Sequence, residues 1–386
     1  MKRRRLAPCG VLAGLIALIA VLVFLPLAVM NIGGHTSVDH TELPPTTVGL
    51  PNPKVVPPLR ENISMAEFLR FIPSTVVNTW KERDYLIVFG IPSVDIHDWR
   101  RRRYLQRTTC WQFPGVARRA NNFTGSMLVL YVLARHPSQG YEYSTALMKE
   151  AEEWHDILAV SIMEGVPYMN ESVSRDGKWG PKPDIGLTRK TVVWLELALR
   201  LFPNTSYIAK GDDDMFLRVP QFLADLRVLP KNGVYWGAMY EPKRWVGKTA
   251  IKFRFALGWC YTMSRDVVQQ IISYRPLMRL VYLPYSEERD AEFLSRGYRG
   301  EDSMIGLVLF TLGYYPKILF VREGKCSFHD LHGGVRPFSV NPSSVVIHHV
   351  EEKEYMMLMK RFLNNTHAVA RRQRNYGKGS IKISCR

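Results

Sequence analysis

Between Val11 and Met30 the chain carries no charged residue, and Lys2, Arg3, Arg4 and Arg5 stand directly before that run. Roughly 20 apolar residues are what a helix needs to cross a bilayer core. A cleaved signal peptide has a shorter apolar region and a small-residue cleavage site, so the run reads as an uncleaved anchor over residues 11–32. No Lys or Arg occurs from Asn31 to Pro53, which places the short tail 1–10 in the cytosol and everything after the anchor on the far side of the membrane. The remainder of the 386 residues, 46% hydrophobic overall, suffices for a large folded unit. The formal net charge of +17 suits a nucleic-acid binder, a membrane-surface protein or an enzyme of phosphorylated substrates, and does not choose among them.

Five glycosylation sequons, at Asn62, Asn122, Asn170, Asn204 and Asn364, fit a lumenal position behind the anchor and make a nucleic-acid partner improbable. Cys110, Cys260, Cys326 and Cys385 are lumenal in this topology and permit one or two disulfides in any of three full pairings. Residues 33–80 include Pro44, Pro45, Pro51, Pro53, Pro57, Pro58 and Pro73, and read as an extended stem. Residues 81–365 are expected to form the folded domain. Residues 366–386 are basic, with little periodicity, and are expected to form a mobile tail.

Within the domain, short apolar runs alternate with segments of helical period. The runs 85–91 and 127–133 look like strands buried on both faces, as in a parallel sheet, and 156–160 and 207–209 are shorter candidates. Val192, Leu195, Leu199 and Phe202 mark one helix face that Pro203 stops, and a second helix is expected after Pro220. The expected fold is α/β, a single mixed, mostly parallel sheet flanked by helices. In such sheets ligands bind beyond the carboxyl ends of the strands, so charged residues that follow a strand come first.

One such place is Lys210-Gly-Asp212-Asp213-Asp214, at the end of the run 207–209. Adjacent carboxylates repel by about 1 kcal/mol or more per close pair, a cost that a bound cation removes. Hard Mg²⁺ or Mn²⁺ takes carboxylate and phosphate oxygens together, so one or two of these Asp residues can hold a metal that also grips a nucleotide pyrophosphate. A calcium EF-hand does not fit, because a loop begun at Asp212 has Leu217 where Gly is required and Leu223 where Glu is required. A second place is Glu301-Asp302 with Gly306, opening an apolar helix. Carboxylates are common in a first helical turn, but Asp302 and Gly306 share a face, and the glycine is expected to leave room for a ring-sized ligand beside a general base.

Arg103 and Arg107 share a helical face and offer either phosphate contacts or a solvated surface. The pairs His329/His332 and His348/His349 follow apolar runs, where a His can ligate metal. No zinc spacing, P-loop or dinucleotide-binding glycine fingerprint is present.

Taken in order, several motifs resemble the β-1,3-galactosyltransferase and N-acetylglucosaminyltransferase family (glycosyltransferase family 31), particularly its protozoan surface-glycan members. They are Arg102-Arg103 with Arg107 and Trp111; Leu187-Thr188 with Lys190-Thr191; Lys210 with Asp212, Asp214 and Phe216; Gly258 with Tyr261, Ser264 and Asp266; and Glu301-Asp302 with Gly306. The Asn before Leu187 is missing and Trp111 is displaced by one. The resemblance implies a GT-A nucleotide-sugar-binding fold in a single-pass type II Golgi membrane protein. It also implies metal-dependent, inverting transfer of galactose or N-acetylglucosamine from UDP-galactose or UDP-N-acetylglucosamine to a glycan hydroxyl. It makes Asp214, Asp212 and His349 metal ligands for Mn²⁺ or Mg²⁺ and Asp302 the catalytic base. Asp212, Asp213, Arg103, Arg107, Lys190 and Lys210 then lie toward the UDP-sugar, and Glu301, Gly258 and Tyr261 on the acceptor side. The competing expectation is a glycan-binding relative of the same fold without turnover.

Overall fold

The structure is a computed structural model and describes residues 64–165, 181–246, 249–364 and 367–385. The expected cytosolic tail, anchor and most of the stem, with Asn62 and Asn170, lie outside the described residues. Among the described residues no helix is long and apolar enough to cross a membrane.

Among the described residues, fifteen strands follow in chain order: β1 Ile87–Ser93, β2 Val116–Ala117, β3 Met127–Arg135, β4 Ile157–Met163, β5 Tyr207–Gly211, β6 Phe216–Leu217, β7 Val234–Tyr240, β8 Lys243–Val246, β9 Thr249–Lys252, β10 Phe255–Ser264, β11 Leu319–Arg322, β12 Phe328–Asp330, β13 Val346–His348, β14 Gln373–Gly377 and β15 Ser380–Ile383. Most join one mixed sheet in the order β14-β15-β11-β7-β10-β5-β1-β3-β2, with β4 also on β3. β5, β1, β3 and β4 run parallel, whereas β10 is antiparallel to β5 and β7. The expectation of a single sheet needs correction, because β12-β13-β6 and β8-β9 form two small sheets of their own.

Alternation explains why β1 and β3 read as unbroken apolar runs. Leu128, Leu130, Val132 and Ala134 enter one core, and Met127, Val129, Tyr131 and Leu133 the other, so every residue is buried whichever way it points. The first core lies under α5 Pro181–Leu201, α7 Arg265–Ser273 and α10 Glu301–Thr311; the second under α3 His97–Thr108, α4 Thr145–Trp154, α6 Val219–Leu226 and α11 Glu352–Leu363. The result is an α/β architecture with helices on both faces of the sheet. α5 is the helix expected from Val192, Leu195 and Leu199, but residues 192–195 and 197–199 are all buried, as befits a helix covered on every side. Its Trp194 lies against β1 and donates to Ala209 O at 2.8 Å. A Cβ at Gly90 would stand 2.1 Å from that indole, so the strand needs glycine there.

Two expected boundaries move. The folded unit begins by residue 64, inside the expected stem: α1 Met65–Phe68, α2 Ser74–Lys81 and the turn between them put Phe68, Ile72, Val77 and Trp80 into the core, each contributing about 1.5–3 kcal/mol on full burial. The expected tail is also part of the fold. β14 and β15 extend the sheet, and Arg371 is buried between Asp225 (2.8 Å) and Glu323 (2.7 Å). Cys326 and Cys385 form a disulfide across 59 residues, a closure that stabilises by about 4 kcal/mol in the chain-entropy account. Cys110 and Cys260 are buried free thiols. Asn122, Asn204 and Asn364 are exposed.

Candidate functional site

The acidic triplet is a turn between β5 and β6, at the carboxyl end of a parallel strand. Its backbone is clamped from three sides. Gln106 of α3 donates to Asp212 O (3.1 Å) and Met215 O (3.0 Å), Tyr355 of α11 donates to Asp213 O and Met215 O (both 3.3 Å), and Asp212 N donates to Trp259 O at 3.1 Å. The three side chains diverge. Asp213 is buried, accepting from Ser93 Oγ at 2.6 Å and lying 3.2 Å from Arg102; burial pushes its carboxyl up against that guanidinium. Asp212 and Asp214 stay partly open.

β6 pairs antiparallel with β13 through Phe216 and Ile347, and this short ladder brings His348 beside Asp214. His348 Nε2 is 3.2 Å from Asp214 Oδ1 and 3.6 Å from Asp212 Oδ2, while Nδ1 is 2.7 Å from Asp330 Oδ1. The Trp259 ring stacks on the imidazole, with centroids 5.3 Å apart and planes at 13°. Burial works against a charged ring, but the Asp214 and Asp330 carboxylates outweigh it and push His348 up to about 10. The same pairing overcomes burial at Asp214 and holds its carboxyl well below the usual range.

Asp214, His348 and His349 each offer a ligand atom, all within 4.8 Å of one another. His349 sits at φ 56° with Nδ1 3.0 Å from His332 O, half exposed above His348. The donor set fits a hard or borderline divalent cation: carboxylates at Asp212 and Asp214, and an imidazole whose far nitrogen is held by a second carboxylate, the arrangement that orients metal-ligating histidines. His348 and Asp330, both outside the ligand set implied by the resemblance, are thus drawn into the site beside His349. Asp330 is the last residue of β12, a strand of three residues and too short to stand out in the sequence.

Across the turn, Lys210 of β5 joins Asp212 to the start of α10. Its Nζ donates to Asp212 Oδ1 (2.6 Å), Gly258 O (2.6 Å) and Glu301 Oε1 (2.8 Å), and Tyr261 OH donates to Glu301 Oε2 at 2.9 Å. Burial raises Glu301 to about 7 against the pull of Lys210. Asp302 is half-buried, its Oδ1 accepting from Ser303 N at 2.6 Å, and burial raises it too.

Several expected contacts are taken up within the protein. Arg103 and Arg107 do share a face of α3, but that face points inward. Arg103 grips Glu150 at 2.8 and 2.7 Å, and Arg107 spans Glu150 (2.6 Å) and Asp156 (2.7 Å). Neither is solvated, and both guanidiniums are buried on carboxylates of the protein itself. Lys190 is buried on Ser93 O (2.7 Å) and Glu164 (2.8 Å). Arg102 is instead the α3 cation at the triplet, 37% exposed and 3.9 Å from Asp214. Gly306 opens no room for a ligand: a Cβ there would meet Arg254 O at 2.2 Å and Phe255 Cβ at 2.8 Å, so the glycine serves the packing of α10 on β10.

No protein-family model matches the chain, and no curated protein matches it in sequence. Among solved structures it is similar to a glycosyltransferase involved in glycosylation of the major capsid of PBCV-1, at 9% identity and TM-score 0.29 over 71% of this chain and 98% of that one. It is also similar to mouse xyloside xylosyltransferase 1, at 10% identity and TM-score 0.33 over 69% and 97%. Likenesses this low do not decide the chemistry of the site.

Proposed function

We propose that the chain is a metal-dependent, inverting glycosyltransferase of GT-A type. On this reading it moves galactose or N-acetylglucosamine from its UDP-sugar to a glycan hydroxyl, by default in β1-3 linkage, from an anchor in the Golgi membrane. The observation that carries the reading is the placement of His348. One nitrogen is held by Asp330 while the other faces Asp212 and Asp214 at the carboxyl end of β5, with the half-buried Asp302 beyond Lys210. The motif resemblance to glycosyltransferase family 31 supplies the donor and linkage classes.

Asp212, Asp214, His348 and His349 are the residues that would hold the cation. Bound there, Mn²⁺ or Mg²⁺ neutralises charge on a diphosphate leaving group. The protein's own part is general-base catalysis. Asp302 takes the proton of the acceptor hydroxyl, the oxygen forms a bond to the sugar C1, and the bond from C1 to the phosphate oxygen breaks with its electron pair leaving on UDP. A single displacement inverts the anomeric carbon and forms no covalent enzyme intermediate. Burial raises the affinity of Asp302 for that proton, which suits a base, while its partial exposure leaves it reachable. Arg102, beside the triplet and open to solvent, is placed to meet the diphosphate.

The test is UDP release by the purified full-length chain with a panel of UDP-sugars, in Mn²⁺ and in EDTA. Release from UDP-galactose or UDP-N-acetylglucosamine that depends on both metal and acceptor is expected. Equal turnover in EDTA, or none with any UDP-sugar, removes the reading.

A further inference from the structure

Lys210 has the look of a phosphate ligand, a cation two residues before the acidic turn, but its geometry excludes that role. An ammonium has three donors. Those of Lys210 are spent on Asp212 Oδ1, Gly258 O and Glu301 Oε1, at 2.6, 2.6 and 2.8 Å, and the side chain is 1% exposed. Glu301 is equally committed, with one oxygen on Lys210 and the other on Tyr261 OH. Both oxygens of this buried carboxylate are held by neighbours, whereas Asp302 stays half exposed, so Glu301 is no rival to Asp302 as base. The backbone is shaped to admit the contact: a Cβ at residue 258 would stand 2.3 Å from Glu301 Oε1, so only glycine lets β10 approach this closely.

We infer that Lys210 is a positioning residue that yokes the donor-side carboxylate Asp212 to Glu301, and so sets where the adjoining base Asp302 stands relative to the leaving group. The inference rests on the proposed transferase reading. Asp302 directly follows Glu301 at the first turn of α10, and about one turn further along, Gly306 holds the helix close against Arg254 O. The yoke therefore governs a turn whose remaining freedom is small. Two acidic elements from distant parts of the chain, the β5 turn and the α10 start, are held to one another by a single ammonium. A base displaced by about 1 Å costs on the order of a hundredfold in rate without altering ground-state binding.

The experiment compares full-length wild type, Lys210→Met, the charge-neutral pair Lys210→Met/Glu301→Met, Asp302→Asn, and Asp302→Asn/Lys210→Met. It measures kcat and KM for the UDP-sugar, the Kd of UDP by calorimetry in Mn²⁺, and Tm. Lys210→Met is expected to lower kcat about a hundredfold while the Kd of UDP moves less than about threefold, and to slow the Asp302→Asn enzyme no further. The paired variant leaves no buried charge unpartnered, so it keeps the fold in case the single one does not, and it is expected to show the same kcat loss with KM unchanged. UDP affinity falling in step with activity overturns the yoke, as does Lys210→Met slowing Asp302→Asn by its full factor. A wild type without metal-dependent UDP release removes the function and the yoke together, whereas an active wild type with either overturning pattern removes the yoke alone.

Discussion

Two dense clusters of charge lie on either side of α3, and they are built to opposite rules. Behind the helix, Arg103 and Arg107 meet Glu150 and Asp156 in short, buried, bidentate pairs that spend the cations on the carboxylates. Beyond it, Asp212, Asp213, Asp214, Glu301, Asp302 and Asp330 gather around Lys210, Arg102, His348 and His349, fewer cations than carboxylates even with both imidazoles charged. A closed set of pairs holds an architecture together. A surplus of fixed carboxylates costs folding energy until something positive arrives, and its persistence is what marks the second cluster as the site.

The contrast gives predictions that differ in kind. The largest effect belongs to the open cluster: Asp302→Asn is expected to cut transfer by about 10³-fold with fold and UDP binding retained, measured by UDP release and calorimetry. Unchanged turnover removes Asp302 from the mechanism. Next, Arg107→Met strands the partly buried Asp156 and leaves Glu150 to Arg103 alone, and is expected to cost about 3–5 kcal/mol in urea unfolding, with Mn²⁺ affinity intact in whatever folds. Weakened metal binding at full stability would reverse the roles given to the two clusters. Asp330→Asn takes away the carboxylate behind His348 and is expected to weaken Mn²⁺ binding about 10–100-fold with little change in urea midpoint.

The smallest effect, taken per pH unit, is one of pH. The folded pKa of His348 is raised, to about 10, so its contribution to stability is complete below the unfolded value near 6.5 and is lost as pH climbs toward 10. In the metal-free protein this one group lowers stability by at most about 1.4 kcal/mol per pH unit over that window. Saturating Mn²⁺ displaces the same proton and flattens the slope, which urea midpoints between pH 6.5 and 9.5 would read. A slope indifferent to His348→Gln takes the imidazolium out of the cluster.

Much of this was legible in the chain. Strands β1, β3, β4 and β5 and helix α5 are visible because burial on both faces turns period-two alternation into continuous apolar runs. The acidic turn is visible because it follows such a run. The Asp330 to His348 support is not, since β6, β12 and β13 have two or three residues each, too few for any period to register. Nor can pattern choose between neighbouring histidines. The choice is made by the ladder through Ile347, after which His349 leaves the strand at positive φ. For α3 the shared face of Arg103 and Arg107 was readable, but not that it turns inward, because the partners Glu150 and Asp156 stand more than forty residues away. The expected tail misled for a related reason: a basic hairpin on a sheet edge keeps its polar side chains in water and shows no apolar period.

The central claim is that Asp214 and His348 face one another in order to share a cation. Mn²⁺ titration of the purified full-length chain, followed by loss of the free-ion electron paramagnetic resonance signal, addresses it directly. The account predicts saturable binding to the wild type that is abolished in Asp214→Asn and in His348→Ala. Equal binding in those two variants, or none in the wild type, contradicts it.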